Sequence, residues 1–515
     1  MTVRQAPEND RAVAGSGDGE GLAQFGYRQQ LDRSIGRFSS FAAGVSYISI
    51  LTGTFQLFYF GYGTAGPAYL WSWPLVFVGQ LMVALCFAEL AARHPVAGSL
   101  YNWAKRLANP TVSWMAGWMM LTASIVTLSA TVLAYQLTLP KIWSGFQLVG
   151  DGTGPYDKAG NAVILGGALI AFTTLVNAFG VKLMSRINSV GVAIEIGAAA
   201  LIIAVLAYSA ERGPGVVFET LGTGEGRELG YLGAFLVAAL ASGYVMYGFD
   251  TASSLGEETR DARRTAPRAI VRAVVASFVL GGLILLFGVM AAPDIADPAL
   301  GSDAGGLQSV LLQAIGGTFG RFFLICIAIA ITVCCLAVHT ATIRMMFAMA
   351  RDNNLPGGPR LARLHPRFRT PVVPAVLIGV LSTAILLLNV RQPQIFTVLT
   401  SIAVIMIYLA YLLVTVPMLV SRLRGQYEPA DGFSLGRWGL AVNSVAVVWG
   451  ACMALNLAWP RREIYNAAAP FHWYLQWGAF VFIGVIAFGG FAYYRLRQRH
   501  RSGVVPEHAA SVPER

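Results

Sequence analysis

The stretch VMYGFDTASSLGEETRDARRTAPRAIVR, residues 245–272, decides which fold the sequence predicts. An apolar segment that begins near Tyr231 is interrupted at Gly248, carries Asp250 within its hydrophobic length, and ends in a turn rich in acids and arginines. An acidic side chain inside a segment of membrane-spanning length is costly, which marks it as a functional residue. Backbone polar groups freed by a break are tolerated at that depth only where they face a cavity. The stretch therefore predicts a broken membrane helix with a site at the break.

The composition of the whole chain is that of a membrane protein. Of its 515 residues, 56% are hydrophobic and 12% are charged, and the mean hydropathy is +0.59. A soluble domain carries about 25% charged residues. Apolar runs of roughly 20 residues recur along the chain, and each is long enough to cross the hydrocarbon core of a bilayer. We therefore predict an all-α polytopic protein with the lipid bilayer as its surroundings.

Several other classes of protein are disfavoured. The net charge of +11 does not indicate nucleic-acid binding, because the basic residues lie in loops between apolar runs, where membrane topology places them. All five cysteines fall inside apolar runs without metal-ligand spacing, so neither a metal nor another cofactor is expected. No span carries a nucleophile–base pair, and no loop is long enough for a soluble domain, which argues against an enzyme or a receptor.

Twelve transmembrane helices are predicted, and Lys and Arg give their orientation. With the N-terminus inside, 29 of the 37 basic residues lie on the inner side, so both termini are predicted to be cytoplasmic and the membrane to be the plasma (inner) membrane. Residues 1–33 are expected to form a mostly disordered cytoplasmic tail with a short amphipathic lead-in from Phe25 to Ile35, and 496–515 a cytoplasmic C-terminal tail. The spans lie near 38–62, 69–92, 112–139, 161–180, 189–208, 231–255, 270–291, 321–350, 372–390, 394–421, 437–459 and 471–494.

The first and sixth spans are interrupted in the same way. Thr52-Gly53-Thr54 lies at mid-depth in the first, and Tyr247-Gly248-Phe249-Asp250 lies at a similar depth in the sixth. The two spans are five apart and run in opposite directions, which is typical of inverted five-helix repeats. Residues 34–210 and 228–423 would form the repeats, and 436–495 two additional spans. The alternative is that these glycines only permit close helix packing.

Free backbone groups at two such breaks suit a zwitterion. Amides at the start of a half-helix hold a carboxylate without a basic side chain, and carbonyls at the end of one hold an ammonium group. Aromatic side chains nearby offer cation–π contact to an amine, although the same residues also suit ordinary packing. The residues assigned to substrate binding are Thr52, Gly53, Thr54, Tyr244, Tyr247, Gly248, Phe249 and Asp250.

Four ionisable residues are candidates for ion coupling or gating. Glu195 lies about 10 Å inside the fifth span, where it either binds a proton or cation or pairs with Lys182 or Arg186. His339 in the eighth span either titrates or is a hydrogen-bonded packing residue. Arg344, like Arg351 two turns further on, either closes an inner gate with acids of the sixth-span turn, such as Glu258, or is a solvated inner charge.

Three blocks of sequence resemble a known family. GPAYLWSWPLVFVGQLMVALCFAELAARHPVAGSLYNWAKRLANPTVSWMAGW (66–118), GFDTASSLGEETRDARRTAPRAI (248–270) and RMMFAMARDNNLP (344–356), with TPVVPA at 370–375, resemble the amino acid–polyamine–organocation transporter superfamily. The lead-in LAQFGYRQQLDRSIGRFSSFAAGVSYISI resembles its amino acid/choline branch, which includes GABA and choline permeases. This resemblance implies a LeuT-type fold of five plus five spans with discontinuous helices 1 and 6, two extra C-terminal spans, and alternating access.

The resemblance also implies roles for the two breaks, with two departures from the family pattern. Residues 52–54 would take the substrate carboxylate and residues 247–249 the amine, but the usual glycine-serine-glycine of the first break is Thr-Gly-Thr here. Some relatives carry a coupling lysine in the fifth span, where this chain has Glu195. The leading hypothesis is a symporter that imports an amino acid such as GABA with a proton or cation. The alternative is a transporter of an organic cation, choline or a polyamine.

Overall fold

The chain folds into a bundle of helices that follows the hydropathy pattern. The computed structural model describes residues 22, 24–31, 33–154, 156–388, 395–428, 432–466 and 471–510. Its α-helices are α1 (Arg37–Ile48), α2 (Ile50–Ala65), α3 (Ser72–Arg93), α4 (Ser99–Leu107), α5 (Pro110–Thr131), α6 (Ala134–Ile142), α7 (Asp157–Ala178), α8 (Val181–Tyr208), α9 (Gly230–Val245), α10 (Thr251–Ser254), α11 (Ala262–Met290), α12 (Gly306–Ile315), α13 (Gly317–Arg351), α14 (Gly358–Leu361), α15 (Val372–Leu388), α16 (Ile395–Leu423), α17 (Gly439–Ala458), α18 (Arg462–Tyr465), α19 (Trp473–Gln476) and α20 (Gly478–Tyr493).

Short turns of tighter helix join these elements, and one wider turn extends the last. The 3₁₀ turns are Pro67–Trp71, Ser144–Phe146, Pro214–Phe218, Gly256–Glu258, Pro298–Gly301, Gly436–Trp438 and Pro506–His508, and Tyr494–Gln498 is a π turn. Within the described ranges, β pairing is limited to two isolated bridges, Tyr27 with Ala509 and Ile35 with Thr259. The predicted all-α class is confirmed.

Ten helices in the described part of the chain are long and apolar enough to cross a membrane. They correspond to ten of the twelve predicted spans. The other two are the shorter apolar helices α9 and α15. Helix α9 is short because the sixth span breaks after Val245, and α15 ends at Leu388, next to residues outside the described ranges. The repeat boundaries inferred from the sequence remain predictions.

The broken spans lie at the centre of the bundle. Almost all of the first span is buried inside the protein, whereas α17 and α20 are largely exposed at the periphery. Helix α2 packs along α9, α1 packs on α11 and α8, and α13 packs on α5 and α8. The apolar side chains exposed on α17 and α20 can face lipid, which is as apolar as they are. The two breaks are therefore surrounded by protein rather than by lipid.

The described terminal segments are packed together at one end of the bundle. The amide of Ala510 donates to the carbonyl of Gly26 (2.9 Å), and the amide of Arg28 donates to the carbonyl of His508 (3.0 Å). Tyr27 is 2% exposed. Phe25 and Leu31, in the segment expected to be an amphipathic lead-in, are buried as well, so residues 24–31 are packed on the bundle. Residues 1–21, 23, 32 and 511–515 of the expected tails lie outside the described residues.

Candidate functional site

The first span breaks at Ser49, between α1 and α2. Ser49 has a positive φ of 41°, which ends α1, and its amide donates to the carbonyl of Val45 (2.7 Å). The sequence-based placement of the break at Thr52-Gly53-Thr54 is wrong by one turn. The Gly53 amide already donates to the carbonyl of Ser49 (2.9 Å), and the Thr54 hydroxyl donates to the carbonyl of Ile50 (2.5 Å). Residues 52–54 therefore belong to the first turns of α2.

The first break binds a carboxylate that belongs to the protein itself. One carboxylate oxygen of Glu195, from α8, accepts hydrogen bonds from the Ser49 hydroxyl (3.0 Å) and the Leu51 amide (3.1 Å). The start of a helix attracts negative charge, because its first amides are unpaired and its dipole is positive there. Glu195 thus occupies the start of α2, just before residues 52–54, which the sequence assigned to a substrate carboxylate.

Glu195 is fully buried and has no charged partner among the described residues. Its second carboxylate oxygen makes no hydrogen bond there. Pairing with Lys182 or Arg186, the structural alternative, is therefore not found. A buried carboxylate without a cation is costly to keep charged. The arrangement suits a group that exchanges a proton or pairs transiently with a cation.

The second break lies where the sequence predicts it, between α9 and α10. Gly248 has φ +84°, and a Cβ there would lie 1.8 Å from a ring carbon of Tyr47, so both backbone conformation and space require glycine. The Gly248 amide donates to the hydroxyl of Tyr411 in α16 (2.9 Å). That hydroxyl in turn donates to the carboxylate of Asp250 (2.6 Å). Tyr411 therefore connects the freed amide with the buried acid.

The two breaks are in direct contact. The Tyr47 ring, in the last turn of α1, lies against Gly248 of the second break. On the other side of the crossing, a Cβ on Gly53 would lie 2.6 Å from a methyl carbon of Val245, the last residue of α9. Small residues permit this close approach of two backbones. The glycines of both broken spans thus serve the crossing itself.

Three tyrosine rings form one wall beside the crossing. The ring centroids of Tyr47 and Tyr247 are 6.1 Å apart, and those of Tyr244 and Tyr247 are 6.0 Å apart, all in edge-to-face geometry. All three residues are buried. Aromatic rings recognise amines through cation–π contact, so this cluster is a candidate amine-binding wall.

Polar side chains from α2 and α5 face these tyrosines. The Tyr244 hydroxyl donates to the side-chain carbonyl of Gln56 (3.1 Å) and lies 3.3 Å from the Thr131 hydroxyl. The Tyr47 hydroxyl lies 3.4 Å from that of Ser124. Sequence reasoning missed these partners. The signal was present, because Gln56 follows the break by two helical turns and Ser124 and Thr131 are two turns apart on one helix face.

Two residues assigned from the sequence point away from this site. The Phe249 ring packs between Phe87 of α3 (6.0 Å between centroids) and Tyr411 of α16 (5.6 Å), so its role is to pack the second break against these two helices. His339, in α13, is fully buried between two other spans, α7 and α15. Its Nε2 lies 3.0 Å from the carbonyl oxygen of Ala375 and its Nδ1 lies 3.0 Å from the Thr173 hydroxyl.

These contacts correct the coupling role predicted for His339. The Ala375 carbonyl only accepts, so Nε2 carries the proton and both ring nitrogens are satisfied as neutral groups. The histidine joins α13 to α7 and α15 and does not reach either break.

Two buried ion pairs connect the turn after α10 with α13. Arg344 donates through Nε and Nη2 to one oxygen of Glu258 (3.0 and 2.8 Å), with both side chains at most 2% exposed. Seven residues further on, Arg351 donates to both oxygens of Glu257 (3.1 and 2.9 Å). The alternative that Arg344 is a solvated inner charge is therefore excluded. The sequence named these arginines and the acids of the turn as a possible pairing, and the structure shows which acid meets which arginine.

The terminal segments cover these ion pairs. The guanidinium of Arg351 lies 3.6 Å from the ring centroid of Tyr27, and the Tyr27 hydroxyl donates to Asp352 (2.9 Å). Burial, and then the negative charge of Asp352, raise the pKa of Tyr27 well above its usual value, so the hydroxyl remains a donor. From the C-terminal side, the amide of Val505 donates to the carbonyl of Arg351 (2.8 Å).

Comparison with known proteins identifies the family. The sequence profile described as amino acid permease matches residues 35–488. The chain belongs to the amino acid permease family. Such proteins carry solutes across membranes and are not enzymes, and this permease is accordingly a multi-pass transporter of the amino acid–polyamine superfamily. The family predicted from the sequence is confirmed.

The permease has curated relatives in plants and bacteria. It is 28% identical to the amino-acid permease BAT1 of Arabidopsis thaliana over 459 residues, covering 85% of this chain and 88% of the relative. It is 30% identical to the BAT1 homolog of Oryza sativa subsp. japonica over 486 residues, covering 89% and 91%. The low-affinity putrescine importer PlaP of Escherichia coli K12 is 27% identical over 321 residues, covering 59% and 64%.

The fold of the permease is also that of a solved transporter. The crystal structure of MhsT in complex with L-phenylalanine aligns with a TM-score of 0.58 at 16% sequence identity, covering 84% of this chain and 100% of that one. At this identity the likeness shows the fold alone. It confirms the predicted LeuT-type architecture, in which the first and sixth helices are discontinuous.

Proposed function

We propose that the permease imports an amino acid by alternating access, coupled to a proton that binds Glu195. One observation carries the proposal: two broken helices meet at a buried site, and each break holds a carboxylate that has no basic partner among the described residues. The distribution of Lys and Arg in the sequence supports a plasma-membrane orientation with both termini in the cytoplasm. GABA is one candidate substrate.

The amine of the substrate is assigned to the second break. Asp250 supplies a negative charge there, and the rings of Tyr47 and Tyr247 supply cation–π contact. The last carbonyls of a helix lack the amide partner that the next turn would supply, so the ends of α1 and α9 add acceptors. The substrate carboxylate is assigned to the start of α2, where the helix that follows the first break begins.

Glu195 and the substrate carboxylate would compete for the same amides. When Glu195 is charged, it holds the Leu51 amide and the Ser49 hydroxyl. A proton on Glu195 removes its negative charge and weakens its hold on the helix amino end, so a substrate carboxylate can replace it. Proton and substrate then favour each other's binding, and linkage requires this coupling to be reciprocal. The geometry therefore supplies a route to proton symport with one acid.

The variant Glu195→Gln tests this assignment. Glutamine keeps the side-chain carbonyl for the Leu51 amide but cannot exchange a proton. Uptake by the purified permease in proteoliposomes should lose its pH dependence and its response to an imposed pH gradient, while exchange of labelled for unlabelled substrate persists. Glu211→Gln, an exposed acid just beyond the same helix, is the matched control and should behave as the wild type. An unchanged pH profile in Glu195→Gln would show that the coupling group lies elsewhere.

A second candidate function is transport of an organic cation such as putrescine or choline. Two buried carboxylates at the breaks, with the helix amides already occupied by one of them, favour a ligand with positive charge and no carboxylate. An uptake screen decides between the candidates. Competition by GABA and α-amino acids but not by putrescine or choline supports the amino-acid assignment, and the reverse order supports the organic cation.

A further inference from the structure

A basic pocket lies where α1 begins, against the first three turns of α11. Its volume is about 280 Å³, and Arg37, Arg264, Arg268 and Arg272 line it together with Phe41. Asp261 is the one carboxylate in the lining. The pocket is at the end of the bundle that carries both termini, at the start of two membrane-spanning helices. It is remote from the crossing of the broken helices and takes no part in the proposed transport site.

The four arginines of this pocket differ from other arginines at the same end of the bundle. Arg93 pairs with Glu428 (2.6 Å) and Arg422 with Glu89, whereas within the described residues none of the pocket arginines makes an ion pair or a side-chain hydrogen bond. All four are exposed. With a single carboxylate in the lining, the pocket carries an excess of three positive charges, which favours a multiply charged or phosphate-bearing anion.

The surface beside the pocket is suited to lipid. Arg264, Arg268 and Arg272 are four residues apart and share one face of α11. The same face continues with Val275 and Val279, whose exposed fractions are 39% and 46%. At 1.5 Å per residue, Arg264 and Val275 are about 16 Å apart along the helix axis. This is the distance from a lipid headgroup into the acyl layer. Exposed apolar side chains at this depth of a spanning helix face lipid.

An aromatic side chain extends the apolar side of the pocket. Phe38, on α1, is 50% exposed, and its ring centroid is 6.2 Å from that of Phe41 in the pocket wall. Aromatic rings concentrate at the boundary between headgroups and hydrocarbon. The pocket therefore has a cationic side directed toward the aqueous boundary and an apolar side directed toward the membrane.

We propose that this pocket binds the phosphate headgroup of an anionic phospholipid, with its acyl chains along the Val275 and Val279 face. Basic pockets between membrane helices on the inner side are suited to such headgroups. A soluble phosphate has the same charge but gains nothing from the adjoining apolar face. A bound lipid would bridge the first half-helix of span one and span seven.

Lipid binding to the purified full-length permease tests the proposal. Native mass spectrometry would count retained phosphatidylglycerol against phosphatidylcholine in wild type and in the triple variant Arg264→Gln, Arg268→Gln, Arg272→Gln. Each arginine near an anionic lipid contributes about a fivefold factor in affinity, so the triple variant should bind phosphatidylglycerol about 100-fold more weakly. The single variant Arg268→Gln should show about a fivefold loss.

A matched control removes three charges elsewhere at the same end. Arg360, Arg363 and Arg367 are exposed and lie outside the pocket, so their triple replacement by Gln should leave phosphatidylglycerol binding unchanged. Equal losses in the two triple variants would reduce the effect to general surface charge and overturn the proposal. Displacement of the lipid by millimolar inorganic phosphate or glycerol phosphate would assign the pocket to a soluble anion instead. Neither measurement depends on transport.

Discussion

Removal of the buried partner of Arg344 should open the inner end of the permease. Glu258→Gln keeps the size of the side chain but removes its charge, and Arg344 then has no carboxylate partner among the described residues. Both side chains are at most 2% exposed, so the arginine would stay buried without a counter-charge as long as the inner end remains closed. The charge regains water only if α13 and the turn after α10 separate.

The structure sets the size of this effect. Breaking a buried ion pair by removing one partner costs about 3–5 kcal/mol, because an uncompensated charge remains. An exposed pair contributes only about 0.2–1 kcal/mol. Arg227 and Glu463, 3.0 Å apart with side chains 26% and 44% exposed, form such a pair and provide the control. If the substitution destabilises the closed state by about 3 kcal/mol relative to the open state, the ratio of open to closed molecules rises about 100-fold.

A native cysteine reports the opening. The Cys334 thiol lies beside the first break, 3.6 Å from the carbonyl oxygen of Tyr47, and the residue is 4% exposed. In a variant with Cys334 as the sole cysteine, a membrane-impermeant thiol reagent added from the inner side should label it slowly. Glu258→Gln should raise the labelling rate by up to about 100-fold. The four cysteines replaced by alanine for this assay are Cys86, Cys326, Cys335 and Cys452.

Two further variants separate charge pairing from other effects. The exchanged pair Glu258→Arg with Arg344→Glu should bring the labelling rate back toward that of the sole-cysteine parent, because a buried pair is restored. Glu463→Gln should change the rate by less than about fivefold, since it removes only an exposed interaction. If Glu258→Gln labels no faster than Glu463→Gln, the Glu258–Arg344 pair does not close the inner end.

Two other predictions concern the crossing of the broken helices. Gly53→Leu should abolish uptake without preventing membrane expression, because a Cβ at this position would already lie 2.6 Å from Val245. The control Gly197→Leu should transport normally, because nothing lies within 4 Å of a Cβ there. Normal uptake by Gly53→Leu would remove the site from this crossing. Tyr411→Phe leaves Asp250 without its hydroxyl donor at a cost of about 1–3 kcal/mol, so the apparent substrate affinity in uptake assays should fall at least fivefold. An unchanged uptake curve would contradict the assignment of Asp250 to substrate binding.

Hydropathy and local sequence were sufficient to identify the class of protein and to locate the second break. Apolar runs identify a spanning helix wherever it packs, because the bilayer itself sets their length. Gly248 was found because its neighbours are apolar and an acid follows it at once. Its φ of +84° confirms that the local signal reflected a backbone requirement.

The first break was misplaced for a physical reason. Ser49 has no intrinsic preference for positive φ, and a search for glycine favours Gly53 instead. The Ser49 conformation is accompanied by a hydrogen bond from its hydroxyl to Glu195, which is 146 residues away in the chain. Gly53 serves the contact with Val245 rather than the break. A local pattern cannot distinguish these two uses of a small residue.

The sequence by itself thus determined the membrane class, the family and the existence of two interrupted spans, since hydropathy and local motifs depend only on neighbouring residues. Only the tertiary structure decided which carboxylate meets which amide. It brought Glu195 to the first break, Tyr411 to the second, and Glu257 to Arg351, because the rotation of each helix about its axis is set by packing against residues far along the chain.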